Sequence, residues 1–256
     1  MKIACVRTHH LRCQLQKPFG FSQWSYDQRN VLIIEVMTDT GLSGWGECYG
    51  PADVTQSAVS NFYAPRIIGL HALATDVIWQ HMWRSSLDFA RGGIMMGAMS
   101  GIDMALWDLK GKALGLSVSE LMGGRYRDVV PCYATGMYFQ DLPEEQLLPL
   151  LVEEAKGYAS EGFAAMKIKV GKNPIFDEKL INAMRKALPS TQLMADSNHA
   201  YDLPEAIKIG RVLDKQNYAW FEEPLSPEHG NLFKQLHEKL DLIIATGECE
   251  QTRFGF

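Results

Sequence analysis

The spacing of hydrophobic positions changes along the chain and divides it into two parts. In the first part, alternating apolar and β-branched residues predict strands at residues 2–15, 30–37 and 42–48. An Asp-Thr-Gly turn signal at 39–41 favours an antiparallel meander. Over residues 54–121, apolar positions recur every three or four residues, as on the buried face of a helix. Residues 1–125 are therefore predicted to form an α+β domain.

The second part, residues 126–256, alternates short apolar strands with helical stretches. The predicted strands are 130–135, 165–171, 193–198, 218–224 and 242–248. The predicted helices are 144–161, 176–188, 203–216 and 231–239. Alternation at this pitch is typical of parallel βαβ units, so this part is predicted to form a (β/α) barrel arrangement.

Carboxylates recur near the ends of three successive predicted strands. Asp196 and Glu222 are 26 residues apart, and so are Glu222 and Glu248. The carboxyl ends of parallel barrel strands converge on one face, so we expect these side chains to surround one point. Converged carboxylates need a compensating cation, and an all-oxygen ligand set favours Mg²⁺. The alternative is that they are three helix N-caps, a role that Asp fills well but Glu does not.

Two lysines share a face of the predicted strand 165–171. Lys167 and Lys169 alternate with Ile168, so both side chains point the same way. Positive charges beside each other and beside Mg²⁺ are expected to make each lysine lose its proton more easily, and a neutral lysine is a general base. The alternative, surface lysines, is disfavoured by the apolar residues that flank them.

Composition narrows the functional classes further. The net charge is −5 and no basic stripe is present, which argues against a nucleic-acid partner. No apolar run is long enough to cross a membrane, and the charged first residues differ from a signal peptide. We therefore expect a cytoplasmic protein without a membrane partner. The 5 cysteines include no CxxC pair, which argues against a disulfide framework and a structural zinc site.

The motifs together resemble the enolase superfamily, and within it the mandelate racemase / muconate lactonizing enzyme group. They are Lys-x-Lys at 167–169, Met-Ala-Asp-Ser-Asn at 194–198, Trp-Phe-Glu-Glu-Pro at 220–224, Thr-Gly-Glu at 246–248, and the segments 100–108 and 121–124. The resemblance implies an α+β capping domain at 1–125, which closes over the site and selects substrate. It implies that residues 126–256 are the first five βα units of an incomplete α/β (β/α) TIM-type barrel.

The same resemblance implies roles for the motif residues. Asp196, Glu222 and Glu248 would bind Mg²⁺, which holds a substrate carboxylate. Lys169 would remove or return the proton on the carbon α to that carboxylate, and Lys167 would help to neutralise the enolate. The expected partner is a small carboxylic acid, most simply a sugar acid, and the family favours a homo-oligomer.

Substrate contacts are expected at three further residues. Asn198 lies two positions after Asp196, on the same predicted strand face, although it could equally be a turn residue. Phe21 and Tyr49 lie in segments that the resemblance implies are closing loops, with simple packing as the alternative. Strand parity is expected to turn His199 and Glu223 away from the metal face, leaving His199 without a functional role and Glu223 with a supporting one.

Two questions stay open at this point. The leading reaction is dehydration of a sugar acid, with racemisation or epimerisation and then cycloisomerisation as alternatives. Members of the family continue for roughly three further βα units, which carry the opposite-face acid/base. The resemblance therefore implies that the chain is C-terminally truncated, and an inactive fragment is the alternative from a different functional class.

Overall fold

The computed structural model describes residues 1–255, which divide into two compact units. Unit 1 consists of Met1–Gln14, Gln28–Val129 and Gln251–Phe254. Unit 2 consists mainly of Leu15–Asp27 and Val130–Glu250. None of the helices within residues 1–255 combines the length and the apolar character needed to cross a bilayer.

Unit 1 contains most of a three-stranded sheet in the order β1-β2-β3, and the parts of β1 and β2 that fall within Leu15–Asp27 belong to unit 2. These strands are β1 (Ile3–Gly20), β2 (Ser25–Thr38) and β3 (Ser43–Cys48). β2 and β3 are antiparallel, with Leu32 opposite Cys48, as predicted. β1 and β2 are longer than predicted because strand pairing needs only backbone groups, and both strands continue through largely exposed residues that carry no hydrophobic alternation.

The predicted helical stretch of unit 1 is confirmed. It comprises α1 (Ala52–Ser57), a π-helical segment (Ala58–Tyr63), α2 (Ala64–Ile67), α3 (Thr75–Ser86), α4 (Ile94–Leu114) and α5 (Val118–Leu121). Helix α4 lies directly on β3 because Gly44 and Gly46 carry no side chain there. A Cβ atom at either glycine would overlap a backbone carbonyl oxygen of α4. Ile34, Ile102 and Leu106 are fully buried in this core.

Unit 2 contains a five-stranded sheet in the order β4-β5-β6-β7-β8, parallel throughout. Its strands are β4 (Ala134–Thr135), β5 (Ala165–Lys169), β6 (Gln192–Asp196), β7 (Trp220–Glu222) and β8 (Ile243–Ala245). The helices between them are α6 (Glu144–Ser160), α7 (Pro174–Ala187), α8 (Leu203–Lys215) and α9 (Gly230–His237). The predicted strand–helix alternation is therefore confirmed.

Several strands end earlier than the sequence predicts. β6 ends at Asp196 and β7 at Glu222. The next residues include Asn198 with a φ of 45° and Glu223 with a φ of 44°. A left-handed backbone takes the chain out of the strand, so predictions based on strand parity fail at these two positions. Glu248 lies in a turn three residues after the end of β8 at Ala245, rather than on the strand itself.

A buried pair joins the first turn of α7 to the connection between β6 and α8. The Tyr201 hydroxyl donates to Oδ2 of Asp177 at 2.8 Å, and the backbone N–H of Lys172 donates to Oδ1 at 3.2 Å. Burial raises the pKa of the Asp177 carboxyl to about 6, although these hydrogen bonds lower it. The pair holds the connection that follows Asp196 against the connection that follows Lys169.

Replacement of Asp177 with asparagine is expected to change how stability depends on pH. In the folded chain the Asp177 carboxyl keeps its proton up to about pH 6, whereas in the unfolded chain it loses the proton at about pH 4. Its contribution to the free energy of unfolding is therefore fully present below about pH 4 and is lost as the pH rises through about 6. Between about pH 7 and pH 4, the wild-type chain should gain up to about 3 kcal/mol relative to D177N. Urea unfolding of both proteins across this range measures the difference, and a constant difference would contradict the assignment.

Candidate metal and proton-transfer site

Strand register brings the central residues of the site side by side. Lys169 pairs with Asp196 across β5 and β6, and Asp196 pairs with Glu222 across β6 and β7. Lys167 lies two residues earlier on β5, so its side chain points to the same side as that of Lys169. The parallel register therefore places charged residues that are far apart in sequence next to each other in one row across the sheet.

The lysines and carboxylates of this row are in direct contact. Lys169 Nζ donates to Oδ2 of Asp196 at 2.6 Å and to Oδ1 of Asn198 at 2.7 Å. Lys167 Nζ donates to Oε1 of Glu222 and lies 3.6 Å from Oδ2 of Asp196. Both lysines are at least nine-tenths buried, so these charges are compensated by each other rather than by water.

The pKa of Lys167 shifts in the direction opposite to the one expected from the sequence. Burial lowers it, but the hydrogen bond to Glu222 and the negative charges of Asp196 and Glu222 outweigh burial and raise the pKa overall. The expected lowering assumed a neighbouring lysine and a bound Mg²⁺, whereas the pKa of Lys167 is raised by the carboxylates that lie beside it.

The carboxylates fit a divalent cation in their donor chemistry and their orientation. Oδ1 of Asp196 accepts a hydrogen bond from the Asn198 backbone at 3.0 Å, and Oε2 of Glu222 accepts one from the Trp220 indole at 2.9 Å. The second oxygen of each carboxylate faces Lys167 Nζ. One oxygen of each carboxylate thus accepts a hydrogen bond from a neighbouring N–H, while the other faces the position now held by the Lys167 ammonium group. Such an arrangement suits a hard cation with oxygen ligands.

Two more glutamates complete the acidic cluster. Glu248 is exposed and lines a cleft of about 360 Å³ together with Glu222 and Glu223. Burial and the charges of Glu248, Asp196 and Glu222 raise the pKa of Glu223 to about 8. Sequence parity turned Glu223 away from the metal face. The predicted orientation is wrong, because the left-handed backbone at Glu223 places its carboxyl next to those of Glu222 and Glu248.

Asn198 and Phe21 lie at the lysine end of the site. Asn198 lies in a turn beyond β6, as the alternative prediction has it, and its side chain accepts a hydrogen bond from Lys169. Its contact with substrate stays a prediction. The Phe21 ring centroid is 5.7 Å from Lys169 Nζ, and the Tyr138 ring centroid is 5.4 Å from it. Tyr138 is not among the predicted site residues, although it lies three residues after β4, where a parallel sheet places its functional side chains.

The segment that carries Phe21 is bonded to the turn after β6. The Ser22 hydroxyl donates to the carbonyl of Ser197 at 2.6 Å, and the Gln23 amide donates to that of Asn198 at 2.9 Å. These bonds hold the aromatic ring beside Lys169. Tyr49 belongs to unit 1 and is 85% exposed, and its contact with substrate stays a prediction.

Two family models match this chain. The N-terminal domain of the mandelate racemase / muconate lactonizing enzyme family matches residues 3–123, and an enolase C-terminal domain-like model matches residues 150–256. The chain belongs to the mandelate racemase / muconate lactonizing enzyme family. Membership confirms the resemblance to the enolase superfamily, and the neighbouring structures confirm a capping domain followed by part of a (β/α) barrel.

Relatives within the mandelate racemase / muconate lactonizing enzyme family include named enzymes. The chain is 38% identical over 256 residues to D-galactarolactone cycloisomerase of Agrobacterium fabrum, covering 100% of this chain and 67% of the relative. The crystal structure of the 3,6-anhydro-D-galactonate cycloisomerase from Zobellia galactanivorans has a TM-score of 0.90 at 42% identity, covering 100% of this chain and 68% of that chain. Other relatives are named arabinonate dehydratase and L-talarate/galactarate dehydratase.

The chain is shorter than its relatives, and one structural relative contains magnesium. The chain spans 54% to 67% of the length of the curated relatives named above. A racemase from Streptomyces coelicolor A3(2), with bound magnesium in its crystal structure, has a TM-score of 0.91 at 29% identity, covering 99% of this chain and 71% of that chain. Magnesium is therefore present in a structural relative of this chain.

Proposed function

We propose that this chain provides the metal site and one proton-transfer lysine of an enzyme that removes the proton α to a sugar-acid carboxylate. The observation that carries the proposal is the buried row in which Lys169 and Lys167 contact Asp196 and Glu222. Burying these charged groups costs free energy even though they are paired, and an acid substrate with an enolate intermediate is a negative charge on which the two lysines can act.

Asp196, Glu222 and Glu248 are proposed to hold the metal. When bound there, Mg²⁺ supplies positive charge to the oxygens of the substrate carboxylate and of the enolate. Asn198 and Trp220 orient the first two ligands through the hydrogen bonds to their outer oxygens. These partners matter because the orientation of a ligand group depends on the hydrogen bonds made by its remaining atoms.

Lys169 is proposed as the base. Its Nζ is held at one position by Asp196 and Asn198, and in its neutral form it can accept the α-proton. Phe21 and Tyr138 face the same nitrogen and reduce its contact with water. Lys167 donates a hydrogen bond toward Glu222 and supplies positive charge beside the substrate carboxylate.

The similarity to the two cycloisomerases favours cycloisomerisation of a cyclic sugar-acid derivative, such as a lactone or an anhydro acid, as the overall reaction. The sequence-based expectation put dehydration first, racemisation or epimerisation second and cycloisomerisation third. An enolate can expel a β-hydroxyl as water or release a β-oxygen that belongs to the substrate's own ring. The same proton abstraction therefore serves both outcomes, and the dehydratase relatives make dehydration the second candidate.

Incubation with cyclic and open-chain sugar acids in D₂O, with Mg²⁺ present, tests the proposal. Nuclear magnetic resonance follows exchange of the α-proton, and mass spectrometry follows the product. Cycloisomerisation incorporates deuterium without loss of water, whereas dehydration removes one water. If Mg²⁺ binds and no acid in the panel exchanges its α-proton, the proposed function is wrong and the chain is an inactive fragment.

A further inference from the structure

His199, Glu223 and Cys249 each follow a different strand of the parallel sheet and bring a nitrogen, an oxygen and a sulfur together. His199 Nε2 lies 3.1 Å from Oε2 of Glu223 and 3.4 Å from Sγ of Cys249. One ligand atom from each residue lies within 4.8 Å of the other two. This cluster uses none of the three carboxylates proposed to hold Mg²⁺.

The Glu223 carboxylate in this cluster lacks a hydrogen-bond donor. The residue is 1% exposed, and neither of its oxygens accepts a hydrogen bond from the residues that the structure describes. The 3.1 Å contact with His199 is not aligned as a hydrogen bond. The Glu248 carboxyl also lies within hydrogen-bond reach of Glu223, so the charged form of Glu223 faces a second acid instead of a donor. Burial of that charge is costly, and a cation bound to Glu223 removes the cost.

His199 is oriented as a ligating histidine would be. Its Nδ1 lies 3.2 Å from the carbonyl oxygen of Leu225, and only a protonated Nδ1 makes a favourable hydrogen bond there. In the neutral ring this leaves the lone pair of Nε2 facing Sγ of Cys249, and Oε2 of Glu223 lies 3.1 Å from the same nitrogen. Metal-bound histidines commonly donate their second N–H to a backbone carbonyl in this way.

We propose that His199, Glu223 and Cys249 bind a thiophilic divalent cation such as Zn²⁺. Bond lengths of about 2.0–2.3 Å in a tetrahedral site place neighbouring ligand atoms about 3.3–3.8 Å apart, and the observed 3.1 and 3.4 Å lie close to the lower end of that range. Cys249 lies in an exposed turn, so its sulfur can close the third distance. Binding replaces the thiol proton with a metal–sulfur bond and releases that proton to solvent. The thiolate ligand selects against Mg²⁺.

Cobalt titration of the whole, Mg²⁺-saturated chain tests this site. Co²⁺ is expected to bind at one equivalent and to produce the near-ultraviolet charge-transfer absorption of a thiolate–cobalt bond. Zn²⁺ should abolish the absorption, whereas additional Mg²⁺ should leave it unchanged. C249S should abolish it, and H199Q should weaken Co²⁺ binding by at least about 10–100-fold. The matched control, C132S, removes an exposed thiol outside the cluster and should behave like the wild-type chain.

The proposal is overturned if Co²⁺ produces no thiolate absorption, if C249S retains it, or if Mg²⁺ displaces it. Retention in C249S would instead indicate that another cysteine of the chain binds the Co²⁺. Should a variant fail to fold, thiol labelling of the wild-type chain decides the question, because Zn²⁺ is expected to protect Cys249 and not Cys132. These readouts do not depend on α-proton exchange, so failure here leaves the proposed reaction untouched.

Discussion

Replacement of Lys169 with methionine is expected to lower the rate of α-proton exchange by about 10²–10⁴-fold. Methionine has a similar length to lysine but provides no basic nitrogen. The variant therefore loses the group that is held between Asp196 and Asn198 while it keeps most of the packing beside Phe21. Exchange in D₂O, followed by nuclear magnetic resonance on a responsive sugar acid, measures the effect.

The matched control for this experiment is K172M. Lys172 is exposed and lies three residues further along the chain, so its substitution removes the same charge without touching the site. Exchange at the wild-type rate is expected for this control. Wild-type exchange in K169M, with a folded circular dichroism spectrum, would show that another group is the base.

Substitution of Asp196 with asparagine is expected to weaken Mg²⁺ binding by at least about 100-fold. Loss of a group that only supports a ligand already costs about 10–100-fold in metal affinity, so loss of a charged ligand should cost at least as much. Asparagine keeps the shape and an acceptor oxygen, so the hydrogen bond from the Asn198 backbone can persist. Isothermal titration calorimetry with Mg²⁺ measures the change.

E178Q is the matched control for the metal experiment. Glu178 is exposed on α7, and its substitution removes one negative charge away from the carboxylate row. Unchanged Mg²⁺ affinity is expected. Equal affinity in D196N and the wild-type chain would refute the proposed ligand set, whatever the result of the cobalt titration.

Much of the architecture follows from local patterns. The parallel sheet of unit 2 could be predicted because its strands are short apolar runs between amphipathic helices, and because Asp202 caps α8 through the capping box that its sequence implies. The ends of the strands could not be predicted from the same signals. Asn198 and Glu223 adopt left-handed backbone conformations that the alternation of apolar residues does not encode.

Lys169, Asp196 and Glu222 could be placed at the ends of neighbouring parallel strands from their spacing and from the strand–helix alternation alone. The groups that these side chains contact are fixed by the folded chain. In the folded chain Lys167 is paired with Glu222, and Tyr138 lies beside Lys169. The side chains of His199, Glu223 and Cys249 also lie close together there. The physical reason is that strand periodicity fixes positions along a sheet, whereas the turns beyond it depend on contacts between residues far apart in the chain.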